Sequence, residues 1–136
     1  MVERKLHPHH FFSKEEKGKI VEAIRSAEKN TAGEVRIHLD RRVRGAVMDR
    51  AKKVFQRQRL NQRKHRNAVL FYLSLAGRSF AILGDKGIHQ RVGDSFWKEI
   101  AESMQGYFSR GQFPEGLEYA IHKIGEEFKK HFASPY

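Results

Sequence analysis

The spacing of apolar residues changes from helical to strand-like and back along the chain, and the changes mark seven elements. Ile20, Ala23, Ile24 and Ala27 recur at i, i+3, i+4 and i+7, which predicts an amphipathic helix. Ser13-Lys-Glu-Glu16 supplies a capping box at its start, and Asn30 to Gly33 ends it. From Glu34 to Asp40 the pattern becomes a strict alternation, with Val35, Ile37 and Leu39 on one face and Arg36 and His38 on the other. That is a half-buried strand. Met48, Ala51, Lys52 and Phe55 return to helical spacing. Ala68 to Leu75 is apolar on both faces, as a central strand covered from both sides requires. Ala76-Gly77-Arg78 turns the chain, and Ser79 to Gly84 comes back as the second arm of a hairpin. Phe96, Trp97, Ile100, Ala101, Met104 and Phe108 form the stripe of a third helix, with Asp94 and Ser95 as caps. Gly111 to Pro114 breaks it. Pro114 then opens a fourth helix with Leu117, Ala120, Ile121, Ile124 and Phe128 facing inward.

The order α-β-α-β-β-α-α restricts the topology. A right-handed β-α-β crossover makes the first two strands parallel, and the hairpin makes the third antiparallel. The expected fold class is therefore α/β, a three-layer α/β/α sandwich with a mixed sheet of three to four strands and helices on both faces. Residues 1–12 read as an N-terminal tail whose Phe11 and Phe12 are available to dock, and residues 13–133 as the domain. The length of 136 residues suits one domain, and the 39% hydrophobic content, with ten Phe, excludes a disordered chain. There is no apolar run of about 18 residues to cross a membrane. The N-terminus lacks the apolar stretch of a signal peptide, so the expected location is cytoplasmic. With no cysteine, disulfides, thiolate metal sites and cysteine nucleophiles are excluded.

Charge changes the picture. Lys and Arg number 27 against 16 Asp and Glu, a formal net charge of +11. The excess is concentrated in Arg41 to Arg44 and between Arg50 and Arg66. Arg57, Arg59, Arg63, Lys64 and Arg66, interspersed with Gln56, Gln58 and Gln62, form a candidate polyanion-binding face. It lacks the exposed aromatics on which single-stranded nucleic acids stack, so a dedicated nucleic-acid site is not expected. An acidic protein, a phosphorylated partner or an anionic membrane surface suits it equally.

Several segments resemble the TPM domain. They are Thr31-Ala-Gly-Glu-Val35, Arg66-Asn-Ala-Val-Leu70, Gly84-Asp-Lys-Gly-Ile88 followed by Val92-Gly-Asp94, and Phe108 to Leu117 with Ala120. The resemblance covers roughly residues 13 to 132 and is strongest with short cytoplasmic members. It implies the three-layer sandwich. Members have been ascribed phosphatase activity and divalent-metal binding, usually calcium, while others act as assembly or repair factors for membrane complexes. Two positions depart from the family pattern: Arg66 stands where many members carry Asp, and Ala68 where they carry Gly. If that Asp is a metal ligand in other members, the ligand is missing here.

The topology itself places Glu34, Asn67 and Asp85 along one end of the sheet, with Asp94 capping a helix that begins nearby. Three carboxylates and an amide there would make a hard-oxygen site suited to Ca²⁺ or Mg²⁺. Each residue also has a plain structural role: Asp94 as a helix cap, Asp85 as a turn residue, Glu34 as a solvated strand end. Phosphatase chemistry of the kind the resemblance implies would use a metal-bound water activated by Asp85 or Asp94. His89 would serve as acid or base, and Arg91 or Arg66 would hold the phosphoryl group. His89 and Arg91 otherwise read as surface residues of a short helical turn. His7, His9 and His10 cluster in the tail, His38 lies on the polar face of the first strand, and His122 and His131 fall late in the last helix.

Overall fold

All seven residues of the middle strand, Ala68–Ser74, are buried, and the fold is the consequence of covering this strand on both sides. The computed structural model describes residues 4–134. They form α1 (Lys14–Glu28), β1 (Glu34–Asp40), α2 (Val47–Arg57), a 3₁₀ turn at Leu60–Gln62, β2 (Ala68–Ser74), β3 (Ser79–Gly84), α3 (Lys86–Val92), α4 (Asp94–Ser109) and α5 (Phe113–His131). The sheet has three strands in the order β1-β2-β3. β1 and β2 are parallel with Glu34 opposite Ala68, and β2 and β3 are antiparallel with Val69 opposite Gly84.

Alternate residues of β2 feed two separate cores. Val69, Phe71 and Leu73 join Val35 and pack with Ile20 and Ala27 of α1, Ile100 and Met104 of α4, and Leu117, Ile121, Ile124 and Phe128 of α5. Ala68, Leu70 and Tyr72 point the other way. They meet Ala81 together with Ala51, Val54, Phe55 and Leu60 from α2 and the 3₁₀ turn. The structure is thus an α/β sandwich with a mixed sheet, as the alternation in β1 and the two-sided apolarity of β2 predict.

Three local features refine the sequence pattern. The segment read as a short helical turn forms a two-turn helix, α3, which Asp85 caps by accepting the Lys86 N–H at 2.9 Å. Asp94 was expected to cap the following helix, but Gly93 holds that position with φ 79°. The sharp bend therefore falls one residue early and leaves Asp94 inside the first turn, its side chain 96% exposed and making no cap bond. Residues 4–12 lie against the domain. Phe11 and Phe12 are buried, and Phe11 packs edge-on against Phe113. Arg4 grips Glu16 through two hydrogen bonds of 2.7 Å. Those bonds outweigh burial and lower the Glu16 carboxyl to about 2, while Ser13 and Glu16 complete the expected capping box.

Phe128 is fully buried, with its ring packed over Gly33. Replacing it by Ala removes that contact and leaves a cavity between α5 and β1. Phe128→Ala is expected to cost about 3–5 kcal/mol in urea denaturation with an unchanged fold.

Candidate functional site

The strand register decides what meets at the end of the sheet where β1 and β2 begin. Glu34 starts β1 opposite Ala68, Asn67 immediately precedes β2, and Asp85 follows β3. The Asp85 N–H donates to the Ala68 carbonyl at 2.9 Å. Arg66 leads into β2 in the left-handed conformation, φ 51°. That turn lets its carbonyl accept the Gly87 N–H at 2.8 Å and the Ile88 N–H at 3.3 Å, which satisfies donors of the first turn of α3. Gly87 has to be glycine: a Cβ there would overlap the His65 carbonyl oxygen and lie 2.6 Å from that of Arg66. Asn67 is buried and donates its Nδ2 to the Ala32 carbonyl at 2.8 Å.

Both carboxylates at this end are held by arginine forks. Arg66 reaches Asp85 through Nε to Oδ2 at 2.6 Å and Nη2 to Oδ1 at 2.8 Å. Arg63 reaches Glu34 through Nε to Oε1 at 2.5 Å and Nη2 to Oε2 at 2.9 Å, and Arg36 adds a contact to Oε2 at 2.7 Å. The Arg63 hydrogen bonds lower the Glu34 carboxyl below its usual range. Burial opposes them, and the charges of Arg36 and Arg63 add to the depression. Such forks supply each carboxylate with two charge-assisted donors in one plane.

Asp94 stands apart from this pair on the first turn of α4 and faces His89 Nε2 at 3.3 Å. The other ring nitrogen of His89 accepts the Trp97 Nε1–H at 3.0 Å. A neutral His89 therefore carries its proton on Nε2, toward Asp94, and its free lone pair is already engaged. Of the four residues read as metal ligands, the fold brings together Glu34, Asn67 and Asp85 at one strand end. Among the described residues, no three His, Cys, Asp or Glu side chains converge as a metal cluster. Arg63 and Arg66, read from sequence as part of a polyanion face, serve here as carboxylate partners. Arg57, Arg59 and Lys64 remain exposed. The Glu34–Arg63 pairing joins residues 29 positions apart, and no local pattern announces it.

The opposite end of the sheet holds a polar cluster that the alternation of β1 does not disclose. Asp40 accepts the Tyr72 hydroxyl at 2.6 Å and Arg50 Nε at 3.1 Å on Oδ2, and its Oδ1 lies 3.0 Å from His38 Nε2. Burial alone would raise the Asp40 carboxyl; the Tyr72, Arg50 and His38 hydrogen bonds hold it below its usual value. Burial, then the bond to Asp40, pushes the Tyr72 hydroxyl well up. Beside this cluster, Asp40, Arg41, Arg42, Val43, Arg44 and Arg50 line a shallow cavity, open to solvent, of about 460 Å³.

The sequence profile of the TPM domain matches residues 7–127. The chain belongs to the TPM domain family. Among solved structures, the NMR structure of the BA42 protein from the psychrophilic bacterium Bizionia argentinensis superimposes on this TPM domain with a TM-score of 0.85. It is 41% identical over 91% of this chain and 86% of that one. The N-terminal domain of a protein from P. gingivalis gives 0.75 at 18% identity, covering 92% of this chain and 83% of that one. The N-terminal domain of the cg2496 protein from Corynebacterium glutamicum gives 0.68 at 12% identity, covering 86% and 74%. At such identities the last two establish the fold alone. No curated protein matches the chain. Among the described residues, no helix is long and apolar enough to cross a membrane.

The depressed Glu34 carboxyl ties stability to pH. An unfolded glutamate titrates near about 4.3, so the stabilisation is complete above that value and is lost as pH falls through the lower folded value. Arg63→Met removes the fork. The variant is expected to be less stable than the wild type by about 1 kcal/mol near neutrality, with the gap closing on acidification. Urea denaturation across the acid range checks this, and a gap independent of pH would contradict it.

Proposed function

We propose that this TPM domain is a non-enzymatic binding or accessory module that docks an acidic partner through the basic face at the α2 end, around Arg57, Arg59 and Lys64. The carrying observation is how the positive charges divide. Arg63 and Arg66 are consumed by Glu34 and Asp85 in two bidentate pairs. Arg57, Arg59 and Lys64 lie exposed on the same segment, and no carboxylate among the described residues pairs with them. Guanidinium groups left free in this way recognise carboxylates and phosphates in a planar, two-bond geometry.

A second reading follows from the register. Glu34, Asn67 and Asp85 share one strand end, which supports a Ca²⁺ or Mg²⁺ site, with Asp94 as a further ligand if α4 and its neighbours rearrange. A metal-bound water activated by Asp85 or Asp94, with His89 as acid or base, would then support weak phosphatase turnover. In this chain a cation at Glu34 and Asp85 has to displace two arginine forks, which is why the binding reading is preferred.

Poly-L-glutamate serves as the acidic probe. Anisotropy of the labelled probe is expected to report binding that weakens steeply with added salt, and by about tenfold or more in the Arg57→Glu, Lys64→Glu double variant. Asp94→Asn, at an exposed carboxylate, is expected to leave it unchanged. Metal-dependent hydrolysis of a phosphate ester, abolished by Asp85→Asn and indifferent to the charge reversals, would favour the enzymatic reading instead.

A further inference from the structure

We propose a second anion site, at the opposite end of the sheet, in which Arg41, Arg42 and Arg44 bind a small diphosphate-type ligand in the cavity beside Asp40. It goes beyond the acidic-partner reading and uses none of the same side chains.

Position comes first. The cavity lies outside the carboxyl ends of the parallel pair β1 and β2, the side of an α/β sheet on which ligands characteristically bind. The loop that walls it runs directly into α2, an 11-residue helix whose cap residue Ala46 contributes no side-chain hydrogen bond.

The charges then decide the ligand class. Arg50 is committed to Asp40, and Asp40 also receives Tyr72 and His38, so this carboxylate is saturated by its own neighbours. Arg41, Arg42 and Arg44 are exposed and pair with no carboxylate among the described residues. Three guanidinium groups within four residues repel one another, and Gly45, at φ 81°, turns the chain at the end of the run. Binding one multiply charged anion removes that repulsion. Phosphate oxygens match the guanidinium fork, and adjacent phosphates match arginines spaced this closely. The cavity is open to solvent, and its volume of about 460 Å³ leaves room for a diphosphate.

Inorganic pyrophosphate is the probe, added to the ¹⁵N-labelled full chain at constant ionic strength, with sulfate as the control anion. Saturable amide shifts centred on residues 40–50 are expected, and binding weaker by about tenfold or more in Arg42→Ala, Arg44→Ala. Both substitutions lie on an exposed loop, and unchanged shifts in β2 and α5 confirm that the variant is folded. Arg57→Glu, Lys64→Glu is expected to bind pyrophosphate as the wild type does, which separates this site from the acidic-partner face. Shifts no larger than those from sulfate would overturn the proposal. So would shifts centred on Arg57 to Lys64, or affinity unaffected by the loop substitutions.

Discussion

The pairing of Arg66 with Asp85 is the constraint around which one end of the domain is organised. Asp85 is almost completely buried, and a carboxylate in that position requires an opposite charge in close, well-oriented contact. Arg66 supplies the charge with its side chain while its backbone carbonyl receives the first turn of α3. The same Asp85 caps that helix. The entry to β2, the exit from β3 and the start of α3 are thereby joined through one residue pair, and Gly87 is required because the backbone of residues 65 and 66 passes so close to it. Removing the arginine would leave a buried charge without its partner, a larger loss than the pair's own net contribution.

The same logic explains where the excess positive charge ends up. At one end of the sheet, Arg63 and Arg66 answer Glu34 and Asp85; at the other, Arg50 answers Asp40. Arginines nearest the strands are thus structural. Of the other basic residues, Arg41, Arg42 and Arg44 after β1 and Arg57, Arg59 and Lys64 toward and beyond the end of α2 are exposed, while the rest are spread over α1, α2, α3, α4, α5 and the loops.

Much of the fold was legible in the residue pattern because it depends on periodicity. Val35, Ile37 and Leu39 alternate because one face of β1 packs on helices, and Ala68 to Leu73 carries aliphatic or aromatic side chains on both faces because both faces of β2 are covered. The meeting of Glu34, Asn67 and Asp85 also follows from strand order. The partners of those residues do not. Arg63 and Arg66 sit in a run of basic residues that looks uniform in one dimension; two of its members turn inward only because the strand ends bring carboxylates within reach. Asp94 illustrates the sensitivity of a local assignment, since the positive φ of Gly93 shifts the cap by one residue and moves the carboxylate into solvent. The Asp40 cluster was hidden for another reason: Tyr72 reads as core, and its hydroxyl is satisfied only by a residue 32 positions away.

Arginine forks hold both Glu34 and Asp85. The most direct measurement is a Ca²⁺ titration followed by amide NMR on the wild type and on Arg66→Asp. The wild type is expected to show no saturable shifts at Glu34, Asn67 or Asp85 at millimolar metal, and the variant to gain them as an arginine gives way to a further carboxylate. Saturable shifts at those three residues in the wild type, lost in Asp85→Asn, would contradict the account.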